Sequence, residues 1–380
     1  MRFSTASAVS LSIAIGAIAT LGAQSAQATN FDVTNLVSDG FVPAAHIDPN
    51  LINPWGISHS GASPFWISDN GSGVTTLYNT TGGKIPLTVN IPPSGDSAPT
   101  GQVFNGTSGD FKIGGVKPNF LFDGEDGRIT GWAGSFGTNA QIAVDNSGSG
   151  AVYKGLAIGN NGSQNVLYAA NFRSGQVEMY SGTFASLGSF TDAGVAPGYA
   201  PFNVQALGGN LFVTFALQDA AKHDDVSGPG NGYVDEFSMA GVFEKRIESL
   251  GGAINSPWGL AIAPSAFGSF AGDLLVGNFG DGTISAYDIS GAPLFKGKLT
   301  DRLGNAITEG DLWALIGGNG GSGGSTDKIY FTAGVQDEAH GLFGALSAAP
   351  EPGTWMLMIL GFGAIGAALR RRTAGLATAG

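Results

Sequence analysis

The stretch NPWGISHSGASPFWISDNGSGVTTLYNTTGG, Asn53 to Gly83, has a second copy in SPWGLAIAPSAFGSFAGDLLVGNFGDGTISAYDISG, Ser256 to Gly291. Each copy opens on Pro-Trp-Gly and an aliphatic residue, crosses a polar turn, and runs through an apolar strand into Asp-Asn-Gly or Gly-Asn-Phe-Gly. A third strand then ends in Tyr. Weaker copies fill the interval. VLYAANFRSGQVEMYSG (Val166 to Gly182) repeats the second and third strands, and PFNVQALGGNLFVTFALQD (Pro201 to Asp219) with NGYVDEFSMAGVFEKRIES (Asn231 to Ser249) makes up a further unit. LWALIGG and KIYFTAGVQDEAHGLFGAL, within Leu312 to Leu346, form the last, and the least regular unit runs from Gly101 to Val144. Starts near Trp55, Val103, Leu156, Val204, Trp258 and Leu312 set a period of about fifty residues, which with short strands in each repeat marks the blades of a β-propeller.

The expected fold is therefore all-β, a six-bladed β-propeller. The last unit is one strand short, and NFDVTNLVSD (Asn30 to Asp39) offers the missing one, so an N-terminal strand added to the last blade closes the ring and leaves no open sheet edge. A pair of two-sheet sandwiches is the other all-β arrangement of this size, but it does not explain a recurring Pro-Trp-Gly start. Composition agrees: 63 glycines, 12% charged and 43% hydrophobic residues describe many short strands joined by tight turns. The chain has no cysteine, which excludes disulfides, thiol catalysis and cysteine metal sites.

Both ends read as addresses. Arg2, the apolar run Ala6 to Leu21 and the small-x-small site AQSAQA make residues 1–28 a secretory signal cut after Ala28. At the other end Pro350, Glu351 and Pro352 precede an apolar run closed by Arg370, Arg371 and Arg372. Met356 to Leu369 is shorter than the ~20 residues of a permanent span. Trp355 and the arginines suit a transient transmembrane helix with its basic end in the cytoplasm. The expected organisation is signal 1–28, propeller 29–348, sorting segment 349–372 and cytoplasmic tail 373–380. The protein would be exported, held briefly at the inner membrane, and then placed at the outer surface or outside. The two ends hold four of the 17 basic residues and one of the 29 acidic ones, leaving 13 against 28, a net of −15 for the core. Such a surface repels nucleic acid and anionic lipid.

Propeller geometry sorts the polar residues. The loop leading into strand one and the loop joining strands two and three share a face, and on it fall the candidate ligand-binding residues His46, Asp69, Asn171, Asp219, His223, Asp224, Asp225, Asn278, Asp337 and His340. Asn53, Asn70 and Glu338 belong to the same loops. Carboxylates and amides suit Ca²⁺ and imidazole extends the set to another divalent metal, with His223, Asp224 and His340 as the candidate ligands. The plainer alternative for Asp69, Asn171 and Asn278 is turn chemistry, since Asn, Asp and Gly tolerate left-handed backbone. KHDD, Lys222 to Asp225, lies in a loop longer than its hairpin needs. DGEDG (Asp123 to Gly127) reads as a hairpin tip, lacking the spacing and terminal Glu of an EF-hand. Trp55, Trp258 and Trp313 read as packing residues between blades. No nucleophile elbow, zinc-protease motif or phosphate loop is present.

PEPGTWMLMILGFGAIGAALRRR resembles the PEP-CTERM sorting signal of Gram-negative bacteria that make extracellular polysaccharide, a tail also described as an ice-binding protein C-terminal domain. The resemblance implies a membrane sorting protease, an exosortase, as partner. The core shows none of the regular Thr arrays that ice binding needs. From AAHIDPNLINPWGIS through LQDAAKHDDVSGPGNGYVDEF and NSPWGLAIAPSAFGSFAGDLLVGNFGDG to YFTAGVQDEAHGLFGAL, the chain is similar to an uncharacterised family of exported propellers, related in shape to NHL-repeat and gluconolactonase-like proteins. Gluconolactonase-like enzymes hold a divalent metal with a Glu, two Asn and an Asp. The resemblance sets Asn171 and Asn278 at the amide positions and leaves the Glu position without a counterpart. The expected function is binding or scaffolding in the cell envelope or extracellular matrix, with a glycan or matrix component as ligand and a monomer as the working form. The alternative is a divalent-metal-dependent hydrolase or lactonase.

Overall fold

The computed structural model describes residues 29–93 and 97–350. Strands β1 (Phe31–Ser38) and β2 (His46–Ile47) come first, and five blades of four antiparallel strands follow. Blade 1 is β3 (Pro54–Ser58), β4 (Phe65–Asp69), β5 (Val74–Tyr78) and β6 (Lys84–Asn90). Blade 2 is β7 (Pro99–Phe104), β8 (Phe120–Gly124), β9 (Arg128–Trp132) and β10 (Gln141–Asp145). Blade 3 is β11 (Tyr153–Asn160), β12 (Asn165–Asn171), β13 (Gln176–Ser181) and β14 (Ser186–Phe190). Blade 4 is β15 (Tyr199–Leu207), β16 (Asn210–Leu217), β17 (Tyr233–Ser238) and β18 (Phe243–Glu248). Blade 5 is β19 (Pro257–Ile262), β20 (Leu274–Asn278), β21 (Ile284–Asp288) and β22 (Leu294–Lys298). Blade 6 is β23 (Leu312–Gly317), β24 (Lys328–Ala333) and β25 (Leu342–Ala348), with β1 as its fourth strand and β2 beyond it.

The ring closes as the sequence predicts. β1 pairs antiparallel with β25 from Phe31↔Ala348 to Ser38↔Leu342, and Ala349 N–H adds a bond of 2.8 Å to the Asn30 carbonyl. Side chains secure the seam: Phe31 packs on Phe267 at 4.7 Å, while buried Asp48 accepts from Tyr78 Oη at 2.7 Å and pairs with Lys84 at 2.6 Å, fastening the segment after β2 to blade 1. Six separate sheets rule out the sandwich pair.

Recurring glycines on the inner strands have a packing cause. A Cβ on Gly56 would stand 2.5 Å from Thr100 O, on Gly101 2.3 Å from Leu156 N, and on Gly259 2.5 Å from Trp313 O. Backbone of one blade presses against backbone of the next there, and no side chain fits. The core divides into clusters between neighbouring blades and one on the axis, where Trp55, Trp258 and Trp313 meet. Trp55 and Trp313 stack at 3.4 Å, and Trp258 stands edge-on to both. These residues thus pack on one another across the axis, where the sequence suggested packing between blades.

The expected secretory signal with Ala28, the motif residues Glu351 and Pro352, the expected transmembrane helix, Arg370 to Arg372 and the expected tail 373–380 lie outside the described residues. Among the described residues no helix is long and apolar enough to cross a membrane.

Candidate functional site

The end of the axis where strand one starts and strand two ends is here the upper mouth. Register defines what reaches it. The first residue of each inner strand pairs with the last of strand two: Pro54↔Asp69, Pro99↔Gly124, Tyr153↔Asn171, Tyr199↔Leu217, Pro257↔Asn278 and Leu312↔Ala333. Just inside these pairs every inner strand has a register shift, in stretches that include Trp55, Thr100, Lys154, Phe202, Trp258 and Trp313. Bulges re-aim side chains, and here they place three indoles, a phenyl ring and one lysine near the axis. The residues just after strand two form a second tier: Asn70, Glu125, Phe172, Gln218, Phe279 and Gly334.

Lys154 is the centre of the site. It is 2% exposed, its Nζ lies 5.0 Å from the Trp55 ring centre and 5.8 Å from Phe172, and it is bonded to Glu125 Oε1 and, at 3.3 Å, to Asp224 Oδ1. Burial pulls its pKa down, but Glu125 and then Asp224 outweigh this, so the group sits above the ordinary lysine value and is a fixed ammonium. That state makes it an electrostatic anchor and unsuits it to act as a nucleophilic amine. Burial works against the ionised form of Asp224 as well, yet Lys154 and His223 hold its pKa below normal. His223 Nδ1 lies 2.8 Å from Asp224 Oδ1 and 4.0 Å from Glu125 Oε1.

Two amides extend the network. Asn70 Nδ2 donates to Glu125 Oε2 at 2.9 Å, and Asn53 Nδ2 donates to Glu338 Oε2 at 2.6 Å while its Oδ1 accepts from Trp313 Nε1. Burial pushes the Glu338 carboxyl up to about 7, against the opposing bond from Asn53. Strained backbone holds this group: Gln336, Asp337 and Glu338 all have positive φ (64°, 52° and 63°), as do Asn53, Ser256 and Asp311 just before three inner strands. Left-handed conformation costs a non-glycine residue about 1–2 kcal/mol, and such strain gathers where a site is positioned.

The sequence-predicted residues separate into groups. Asp224 bonds to Lys154 directly, and His223 joins the network through Asp224. Asp225, whose pKa is raised by burial, sits beside them, with Oδ2 unpartnered among the described residues. Asp219 shapes the loop by accepting the His223 and Asp224 N–H groups. Asp69, Asn171 and Asn278 bond inside their own blades, to Thr76, Glu178 and Thr283, and none of the three has left-handed backbone. Burial lifts the Asp69 pKa well above normal. His340 turns away to Asp39 at 2.6 Å and stacks on Phe41, and Asp337 is exposed. His46 lies on the outermost strand of blade 6, against Gly82 of blade 1. Glu125, not the expected His340, stands beside His223 and Asp224: one ligand atom from each of the three lies within 4.8 Å of the others. In the sequence Glu125 is legible only as part of a hairpin tip, and no motif marks Lys154. The signal for both was register, since Lys154-Gly155 stands where other blades have Trp-Gly and Glu125 stands where blade 1 has Asn70.

Fold and site together define a six-bladed propeller with a charged upper mouth. Virginiamycin B lyase from Staphylococcus aureus is similar in shape, with a TM-score of 0.51 at 13% identity over 84% of this chain and 100% of that one. At that identity the likeness shows the fold alone. A model of the PEP-CTERM protein-sorting motif matches residues 348–372, which implies an exported, membrane-processed protein recognised by exosortase-type machinery. Uncharacterized protein R648 of Acanthamoeba polyphaga mimivirus is 30% identical over 336 residues, spanning 84% of this chain and 80% of that protein. Uncharacterized protein L690 of the same virus is 31% identical over 334 residues, spanning 83% and 85%. The chain belongs to the family of these two proteins.

Proposed function

We propose that this PEP-CTERM propeller is a binding protein of the cell envelope or extracellular matrix that takes a glycan or other matrix component at the upper mouth. The observation that carries the reading is the convergence of Glu125, Asp224, His223, Asn70 and the Asn53–Glu338 pair around one buried ammonium among aromatic rings. Amides and carboxylates from several blades match ligand hydroxyls, and aromatic faces match the C–H face of a sugar ring. The test is binding of the full-length protein to extracellular polysaccharide purified from a producing strain, followed by light-scattering or calorimetry. A Glu125→Ala/His223→Ala variant that still folds should bind at least about tenfold more weakly, a loss of ~1.4 kcal/mol. Unchanged affinity in that variant overturns the reading.

The proximity of Glu125, His223 and Asp224 favours a second reading, a divalent-metal-dependent hydrolase or lactonase. The donor set fits poorly as it stands, because the Lys154 ammonium already engages the Glu125 and Asp224 oxygens that an ion would use. Asn171 and Asn278, the amides the gluconolactonase resemblance singles out, are spent on their own blades. Calorimetric titration with Ca²⁺, Mn²⁺ and Zn²⁺ decides it: no saturable heat, or heat unchanged by Glu125→Ala/His223→Ala, removes the metal.

A further inference from the structure

The two faces of the propeller differ in charge. Among the described residues, the loops at the upper end hold 14 Asp and Glu against 3 Lys and Arg, whereas those at the lower end, where strand one finishes and strand two begins, hold 3 against 2. The lower five are Asp110, Asp273 and Asp327 with Lys112 and Lys117, and Asp273 pairs with Lys296 of β22 at 3.0 Å. The negative excess of the core therefore belongs to the upper face, and the lower face is close to neutral. Ile142, Leu187, Val242, Ile262 and Leu294 stand exposed at the lower ends of strands in blades 2 to 5, Val242 and Leu294 each at 61%.

The chain also leaves the propeller on the lower side. β25 runs antiparallel to β24, from the upper end at Leu342 to the lower end at Ala348. Its surroundings agree: Phe31, opposite Ala348, packs on Phe267, and Thr29 Oγ1 accepts from the Ser269 N–H at 3.2 Å, both in the lower loop between β19 and β20. Only residues 349–355 separate β25 from the apolar run that begins at Met356. Fully extended, they reach about 25 Å. The upper loops lie a strand's length beyond Ala348, roughly 26 Å for an inner strand of eight residues such as β11.

We propose that the lower face is the surface this propeller presents to a lipid bilayer while its sorting segment is held there, with the upper mouth turned away from the membrane. The inference rests on the reading of Met356 to Leu369 as a transient span. It does not rest on a glycan at the upper mouth. A connection this short is used up in passing the height of one blade, so it cannot bring the upper loops round to the bilayer. Charge points the same way, because a bilayer containing anionic lipid repels the carboxylate-rich upper face and tolerates a near-neutral one. The exposed aliphatic side chains around the lower rim gain by entering the interfacial layer. In this orientation the mouth around Lys154 is open to large ligands before the tail is processed.

The test uses the full-length chain reconstituted in vesicles of phosphatidylethanolamine and phosphatidylglycerol that carry a spin label on the lipid headgroup. The chain has no cysteine, so Val242→Cys, Leu250→Cys and Ile47→Cys each supply a single thiol for a fluorophore. All three residues are exposed. Val242 and Leu250 flank β18 at its lower and upper ends, and Ile47 marks the outer edge of blade 6. The Val242 label should be quenched by the lipid, and the Leu250 and Ile47 labels should keep their emission. Quenching of Leu250 as strong as that of Val242 overturns the proposal, as does quenching of Ile47 alone, which would mean an edge-on approach. An unquenched Val242 label on protein that floats with the vesicles also overturns it. Protein that fails to float overturns the reading of the tail as a span, and the proposal with it.

Discussion

At the upper end of the axis Lys154, Glu125, Asp224, His223 and Glu338 crowd into a charged network, while at the lower end the same inner strands finish in Ser58, Gln102, Gln205 and aliphatic side chains. The backbone differs as much as the chemistry. Every inner strand is irregular just inside its upper end, whereas the lower ends run in plain register, as in Ser58↔Trp66, Val103↔Leu121 and Ile316↔Tyr330. Left-handed non-glycine residues gather above, at Asn53, Ser256, Asp311 and Gln336 to Glu338. In a repeat fold the blades share one framework, so functional residues stand out where strained or bulged backbone departs from it.

The largest test of this contrast is Lys154→Met. Removing the ammonium leaves Glu125 without its partner in a buried setting, and loss of one member of a buried ion pair costs about 3–5 kcal/mol. Urea denaturation should show a loss on that scale; a loss below about 1 kcal/mol would mean that Glu125 stays solvated without Lys154 and the upper network is not buried. Trp313→Ala, which opens the partition between the mouths, should cost a similar ~3–5 kcal/mol.

Glu338→Gln should show a smaller effect with a definite pH signature. The Glu338 carboxyl rises from an ordinary 4.5 to about 7 on folding, so between those values the folded state holds a proton that the unfolded state has released. Stability from this group is complete below pH 4.5 and declines as pH rises through 7. The glutamine variant still offers an amide oxygen to accept from Asn53 and should gain melting temperature over the wild type at pH 8 but not at pH 4.5. An equal change at both values contradicts the buried carboxyl. At the bottom of the scale is Lys112→Ala, on the exposed lower surface, which should shift stability by no more than about 0.5 kcal/mol.

The sequence carried the fold because one packing rule repeats. Close approach of neighbouring backbones demands glycine at Gly56, Gly101, Gly155 and Gly259, and Trp55, Trp258 and Trp313 at the equivalent inner-strand position make three of the six units visible. The site was legible in part. The length of the loop bearing His223 and Asp224 announced it, whereas Asp69, Asn171 and Asn278 bond within their own blades without the left-handed backbone that turn chemistry supposes. Lys154 stayed hidden because its meaning lies in occupying a tryptophan position, which only strand register reveals. His340 and Glu125 exchange places because loop face specifies the rim but not the angle around it, and Asp39 and Phe41 draw His340 to the outer side.

The seam between β1 and β25 also governs when this molecule can exist in finished form. Phe31 pairs with Ala348, so residues at one end of the propeller wait for residues at the other before either has its hydrogen bonds. Contacts this distant in sequence form late and slowly. The matched sorting motif begins at residue 348, where β25 ends against Phe31, so the strand that closes the ring and the segment that sorting machinery recognises share the same short stretch of chain.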